Sequence, residues 1–383
     1  MPDDIVQIVS LGHGGEGLCR VDGAVVLVPG ALPGDAARLG PLQKSRGVHW
    51  APAAEIVHPS PHRIQADCPV FGDCGGCNWL NFAYPAQAEW KRRIVEEAFR
   101  RIARLDVQAN WAEDAKLRTR YRTRATFHAC RDGWGFYARG SHTVVPIQAC
   151  PLGHPRLNDA FARLRPGNDD GDITITVDPE GDEILVWSER PQPGVHKVFP
   201  NAQSEQAGGT RSSFEFDGVP VVNGTFSQSS LLLNRVLRWV VDSMLESQSN
   251  LLDLYCGSGN FSLHYAHSAE VVGIDSNGPA VMAAFRASGS DYRIGTEKQM
   301  VELIRSRKWD TVMLDPPRNG AQKVAKALQN AACERVVYVS CDPATLARDC
   351  RSLLAGGWKL SAVCVVDMFP NTPHIESVCQ FRR

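Results

Sequence analysis

The chain has 383 residues, 43% of them hydrophobic and 22% charged, with 41 basic against 42 acidic side chains and 12 cysteines. At roughly 100–200 residues per domain that length predicts about two or three domains, each with its own core, and the ordinary apolar and charged fractions exclude a fibrous or disordered chain. No run of about 18 apolar residues could span a bilayer, and the acidic start MPDDIVQIVS lacks a signal peptide's basic flank. A cytoplasmic location is therefore expected, where the cysteines need a role other than disulfides, and the near-zero net charge argues against a nucleic-acid partner unless a local basic surface is hidden in the average.

Residues 3–57 read as a small β module, because IVQIVSLG, GLCRVDG, AVVLVPGALPGD and AAEIVHPSP are short apolar runs cut by Gly and Pro turns. Such runs predict a small barrel. After a cysteine-rich stretch comes KRRIVEEAFRRIARL at 91–105. Ile94, Ala98, Ile102 and Leu105 share one stripe there and the arginines mostly fall elsewhere, which predicts an amphipathic helix with a basic side. Between Lys91 and Arg124, eleven Lys or Arg stand against five Asp or Glu. Arg118, Arg120, Arg122 and Arg124 alternate, which on a strand projects all four to one face. With Tyr121 and Phe127 nearby, that face could hold phosphates while aromatics stack on unpaired bases, or it could be an ordinary solvated strand.

Residues 118–187 look strand-rich, with DITITVD and EILVWSE joined as a hairpin through PEGD. From about 225 helix and strand alternate. LLLNRVLRWVVDSML is helical, and LLDLYC, EVVGID, YRIG, WDTVMLD and RVVYVSC are short apolar runs, most followed by a loop and a helical stretch. That alternation predicts a parallel sheet covered on both faces. KLSAVCVVDMF and HIESVCQFR add two strands joined by the PNTP turn.

Chemistry concentrates at the ends of these strands. In LDLYCGSGNFSL, Gly257, Ser258 and Gly259 turn the chain tightly where open α/β sheets bind nucleotides. About twenty residues on, Asp275 ends the next strand, where a carboxylate can accept from both ribose hydroxyls. A dinucleotide fingerprint would need a third glycine where Ser262 stands. In WDTVMLDPPRNG two prolines force the chain out of the sheet and present Asp315 to the same crevice as Asp253. Cys341 follows a buried-type strand and opens a helix, a position expected to lower the thiol pKa and favour the thiolate. Glu376 lies after the last turn and can return a carboxylate to that edge.

A second group is Cys68, Cys74 and Cys77, spaced C-x5-C-x2-C with Gly75 and Gly76 between the last two. Three close thiolates suggest a soft metal site, with Cys150 in IQACPL the candidate fourth ligand. Zinc is the rival, although its knuckles usually space two to four residues. Radical enzymes that cleave S-adenosylmethionine usually carry C-x3-C-x2-C instead.

Taken in order, the cysteine pattern, GTFSQSS, LYCGSGNF, DPPR, SCDPATLARD and PHIE resemble the RNA uridine-5-methyltransferases of the class I S-adenosylmethionine-dependent type, over nearly the whole chain. The resemblance implies an α/β protein: a TRAM-like, OB-like β-barrel at 1–58, a central α+β iron–sulfur and RNA-binding region at 59–224, and a Rossmann-like methyltransferase domain at 225–383. It implies a [4Fe-4S] cluster on Cys68, Cys74, Cys77 and Cys150, and S-adenosyl-L-methionine contacts at Gln228, Tyr255, Asn260, Asp275 and Asp315. Cys341 matches the nucleophile and Glu376 the base. Many members have Glu at the position of Asp275, and a further family contact has no clear counterpart near Thr296 and Glu297.

The expected chemistry is addition of the Cys341 thiolate to uracil C6, methylation at C5, and removal of the C5 proton by Glu376. The partner is then RNA, with 23S ribosomal RNA preferred over transfer RNA, and the chain is expected to act as a monomer. A catalytically silent RNA-binding or folding factor is the reading from another class. A DNA cytosine-5-methyltransferase would customarily place its nucleophile after a proline, where this chain has Ser340. Cys19, Cys130, Cys256, Cys333, Cys350, Cys364 and Cys379 are left as packing residues.

Overall fold

The computed structural model describes residues 5–45, 47–165, 171–246 and 249–383. Two compact units emerge, one from residues up to Ile94 with Tyr137–Val145 and Phe369–His374, the other from Val95–Phe136, Pro146–Met368 and Ile375–Arg383. The mixture of helices and sheets is the expected α/β class.

The first unit is β-rich, as its Gly- and Pro-punctuated runs require. Its strands fall into two sheets, one of five strands from Ser10–Leu11 to Gln43–Ser45 and one pairing Ile5–Gln7, Ala36–Leu39 and Ala53–His58. Ile8, Cys19, Val26, Val28, Ala31 and Ala51 form its core. Beside that core Asp35 is buried, and burial alone would raise its carboxyl. The Arg63 ion pair and the Leu32 and Ser60 N–H groups outweigh that and hold it below the usual carboxylate range.

In the second unit, Arg124–Cys130 pairs antiparallel with Gly133–Tyr137 and Asp172–Val177, which pairs with Ile184–Ser188 in the expected hairpin. Phe127, Phe161, Ile173, Ile175 and Val186 pack beneath it. The large sheet consists of β1 (Asn250–Leu254), β2 (Glu270–Asp275), β3 (Asp291–Ile294), β4 (Trp309–Leu314), β5 (Cys333–Ser340), β6 (Lys359–Val366) and β7 (Glu376–Arg382). Their order is β3-β2-β1-β4-β5-β7-β6, extended at the β6 edge by Asn110–Ala112. The first five are parallel and β7 runs antiparallel between β5 and β6. Strand centres such as Leu252, Val312 and Val337 are completely buried, which is why these runs are continuously apolar rather than alternating. The helices are α1 (Leu231–Leu245), α2 (Gly278–Ser288), α3 (Glu297–Ser306), α4 (Gln322–Leu328) and α5 (Pro343–Ala355). Gly273 in β2 admits Tyr292 of β3, whose ring would lie 2.3 Å from any Cβ placed there.

The basic segment departs from expectation. Only Arg124 of the four alternating arginines lies on a strand; Arg120 takes a left-handed φ of 55°, so no shared basic face forms. Tyr121 and Phe127 are 0% and 2% exposed and do not serve as base-stacking platforms. The helix runs Tyr84–Ala98 and passes into a π-turn at Phe99–Ala103. The expected stripe holds at Ile94, with Val95 buried beside it, and along the π-turn it is displaced by one residue to Phe99 and Ala103. Lys91 is buried, with its Nζ donating to the Phe369 carbonyl at 3.0 Å.

Candidate active site

The site forms where strand ends of one sheet converge. β4 pairs with β5 up to Leu314 and Tyr338, so Asp315 leaves β4 next to the last residues of β5. β5 pairs with β7 up to Ser340 and Ser377. One step beyond that rung Cys341 and Glu376 face each other. The antiparallel β7 thus begins where the parallel strands end, and an acid at its first position arrives at the ligand edge.

Asp342 caps α5 by accepting from Ala344 and Thr345 N–H, and Cys341 precedes it at the helix mouth. The expected fall in the thiol pKa is nevertheless overturned. Burial, then Glu376 and Asp315, push the thiol up to about 11, against a smaller opposing pull from Arg318. Desolvation and two carboxyls outweigh a helix terminus. Burial also raises Asp315 to about 7, helped by Asp253 and Asp275. Glu376 is 4% exposed and is driven well above the ordinary carboxylate range by burial and by Asp315. The thiol and both carboxyls therefore keep their protons to higher pH than they would in water.

Next to Asp315 opens a cleft of about 610 Å³, counting the solvent at its mouth, walled by Gln228, Tyr255, Asn260, Phe261 and Asp315 among others. Four predicted cofactor residues, Gln228, Tyr255, Asn260 and Asp315, thus share one cavity. Asp275 reaches the site through the loop: its carboxylate accepts from Gly257 N at 3.0 Å and Asn277 N at 2.8 Å. Further lone pairs remain for hydroxyl donors. Tyr255, Gly257 and Gly259 all have positive φ, and a Cβ on Gly257 would meet nothing within 4 Å. The loop therefore presents bare backbone to open space, as a nucleoside-bearing ligand requires. For Tyr255 the left-handed backbone costs about 1–2 kcal/mol, and its hydroxyl is tethered to Glu297 Oε1 at 2.9 Å.

Several partners were not anticipated. Asn260 exchanges two amide hydrogen bonds with Asn234 of α1, at 2.7 and 3.0 Å; a lone Asn on the apolar face of LLLNRVLRWVV was the available signal. Asp253 does not enter the crevice. It is 1% exposed and accepts from Ser262, whose hydroxyl also meets Tyr292 at 2.8 Å. Burial raises Asp253 to about 7. The serine in place of a third glycine is thus the lock beneath the loop.

The four cysteines of the expected set are divided between the two units. Cys68, Cys74 and Cys77 share one loop of the first unit, where the Cys74 sulfur accepts from Gly76 N at 3.4 Å, and Cys150 belongs to the second unit. Among the described residues no three His, Cys, Asp or Glu side chains are grouped so as to hold a metal ion. Of the cysteines expected to pack, Cys130 is partly exposed and the other six are buried.

The sequence model of the tRNA (Uracil-5-)-methyltransferase family matches residues 219–289 and 296–383. The chain is 33% identical to an uncharacterized RNA methyltransferase of Gloeobacter violaceus, covering 99% of this chain and 96% of that protein. It is 31% identical to the 23S rRNA (uracil(1939)-C(5))-methyltransferase RlmD of Thiobacillus denitrificans, covering 99% of both. Among solved structures, the Pyrococcus abyssi tRNA (uracil-54, C5)-methyltransferase in complex with S-adenosyl-L-homocysteine shares the fold, with a TM-score of 0.77 and 23% identity over 99% of this chain and 100% of that one.

Proposed function

The chain belongs to the RNA (uracil-5-)-methyltransferase family, an S-adenosylmethionine-dependent class, and from that premise we propose that it methylates a uridine of 23S ribosomal RNA through a covalent Cys341 adduct. The observation that carries the adduct is Cys341 facing Glu376 across the end of the β5–β7 pair. Uracil C5 is a poor nucleophile until C6 is attacked. The Cys341 sulfur, as the thiolate, forms a bond to C6, the C5=C6 electron pair moves onto C5 and O4, and C5 takes the methyl group as the methyl–sulfonium bond breaks and leaves a neutral thioether. Glu376 then accepts the C5 proton, the double bond re-forms, and the C6–S bond breaks to release the thiolate. S-adenosylmethionine, when bound, supplies the electrophilic methyl. Gln228, Tyr255, Asn260 and Asp315 would line its cleft, with Asp275 at the ribose. Because a stacked base is out of reach, the target uridine is flipped or drawn from a loop.

Ribosomal RNA is preferred because a relative 31% identical to this chain, over 99% of both chains, is a 23S rRNA enzyme; transfer RNA is the second reading, supported by the family match. Labelled methyl transfer to total RNA from a strain lacking this protein, with mass-spectrometric mapping, is expected to place one 5-methyluridine in large-subunit RNA. Label in transfer RNA alone would overturn the substrate, and label in DNA alone the RNA assignment.

We extend the proposal to a TRAM-like RNA-binding role for the β-rich unit, to a monomer acting in the cytoplasm, and to a [4Fe-4S] cluster on Cys68, Cys74, Cys77 and Cys150. The cysteine loop and its N–H···S contact support the cluster chemically. It takes no part in the transfer and would shape the RNA-binding region. Anaerobically purified protein is expected to carry about four irons and four sulfides; stoichiometric zinc, or neither metal, would remove it.

A further inference from the structure

A charge drawn partly out of water needs compensation, and the half-buried Arg124 has no acidic partner among the described residues. It opens the strand Arg124–Cys130, and its Nη1 donates to two neutral hydroxyls, Thr176 Oγ1 at 3.2 Å and Ser227 Oγ at 3.3 Å. Burial alone pulls the guanidinium down to about 10, with no carboxylate to oppose it. Three other arginines of this unit do have acidic partners: Arg118 pairs with Glu113, Arg211 with Glu205, and Arg235 with Glu180 and Asp217. A half-buried guanidinium held only by neutral hydroxyls keeps its charge free to meet an anion.

The location names the ligand's chemistry. Ser227 is the middle residue of Phe226-Ser227-Gln228. Gln228 is buried in the cofactor cleft wall, while Phe226 on the same wall is 74% exposed. The backbone around Arg124 grips the back of this loop: Thr123 N and Arg124 N both donate to the Ser229 carbonyl, and Leu231 N donates to Thr123 Oγ1. Arg124 itself does not line the cleft. Its remaining N–H donors therefore suit an anion arriving from outside that cleft, beside the Phe226-Ser227-Gln228 loop.

We infer that Arg124 binds a backbone phosphate of the RNA adjacent to the target uridine. This rests on RNA methyl transfer as the activity. An arginine fork suits a phosphate, and compensation on binding explains why the free protein tolerates the unpaired charge. The carboxylate of the cofactor is the other anion available, and the test separates the two.

Arg124→Gln and Arg124→Lys variants of the full chain are assayed for methyl transfer to ribosomal RNA over about 50–200 mM salt, with cofactor binding measured by calorimetry. For Arg124→Gln the RNA KM is expected to rise about tenfold or more, with kcat and cofactor affinity within about twofold. The slope of log KM against log salt is expected to fall by about 0.7–0.9, the share of one phosphate contact, and Arg124→Lys to restore most of both. An unchanged salt slope would overturn the inference, as would cofactor affinity falling in step with activity, or a lowered melting temperature with all constants moving together. If the wild-type protein methylated no RNA, the activity itself would be wrong and this assignment would fall with it.

Discussion

Cys341→Ala is expected to lower methyl transfer by about 10⁴-fold or more while cofactor affinity stays within about twofold, since Cys341 does not wall the cofactor cleft. Without the thiol, C5 has no route to an enolate and the methyl has no nucleophile to meet. The same site dictates a pH dependence. With the thiol at about 11, only about one molecule in 10⁴ carries the thiolate at pH 7. Raising the pH lifts that fraction tenfold per unit until the thiol pKa is reached. Glu376, held above its usual range, loses its proton in the same direction and becomes competent as a base. Both effects favour alkaline conditions. The kcat/KM for RNA is therefore expected to climb from about pH 7 to 9, and a profile already flat at pH 7 would contradict the reading of the thiol as protonated at rest.

Glu376→Gln separates the two halves of the reaction. An amide cannot accept the C5 proton, so addition and methyl transfer proceed and elimination stalls. Turnover is expected to drop about 10²–10⁴-fold, and a methylated RNA–protein adduct is expected to survive denaturing electrophoresis. Adding Cys341→Ala to that variant should abolish the adduct. The isosteric change also removes one of the two carboxyls that raise the thiol, so adduct formation by Glu376→Gln should begin at lower pH than wild-type turnover. Normal turnover by Glu376→Gln would assign the base elsewhere; slow turnover without an adduct would place Glu376 before addition.

Much of this site was legible because parallel strands deliver their C-terminal ends to one edge. LDLYCGSG, EVVGID, LDPPR and VSCDP each announce a strand end by an apolar run stopping at a glycine, proline or acid, and such ends converge without knowledge of tertiary contacts. What escaped was set by partners distant in sequence. The direction of the Cys341 shift depends on Asp315 and Glu376, 26 and 35 residues away, whereas the helix-mouth argument sees only neighbours. Asn260 reads as a loop residue until α1 supplies Asn234. The arginine alternation failed at one residue: the left-handed Arg120 breaks the two-residue period before the strand begins. The thiol spacing suggested a ligand set, but it speaks only for the first three cysteines, since Cys150 lies far along the chain in the other unit.

The placement of β7 fixes when the catalytic pair can exist. β7 follows β6 in the chain yet lies between β5 and β6, so neither neighbour completes its hydrogen-bond ladder until this strand is inserted. A ribosome-bound chain that has exposed everything through β6 already has the cofactor loop and Cys341, but it lacks Glu376 and carries an open slot in its sheet. Under the proposed mechanism, catalytic competence therefore arrives in the same step as closure of the fold. A partly synthesised or locally unzipped molecule cannot pass through a state in which the thiol adds to uracil with its paired base in place and the sheet still open.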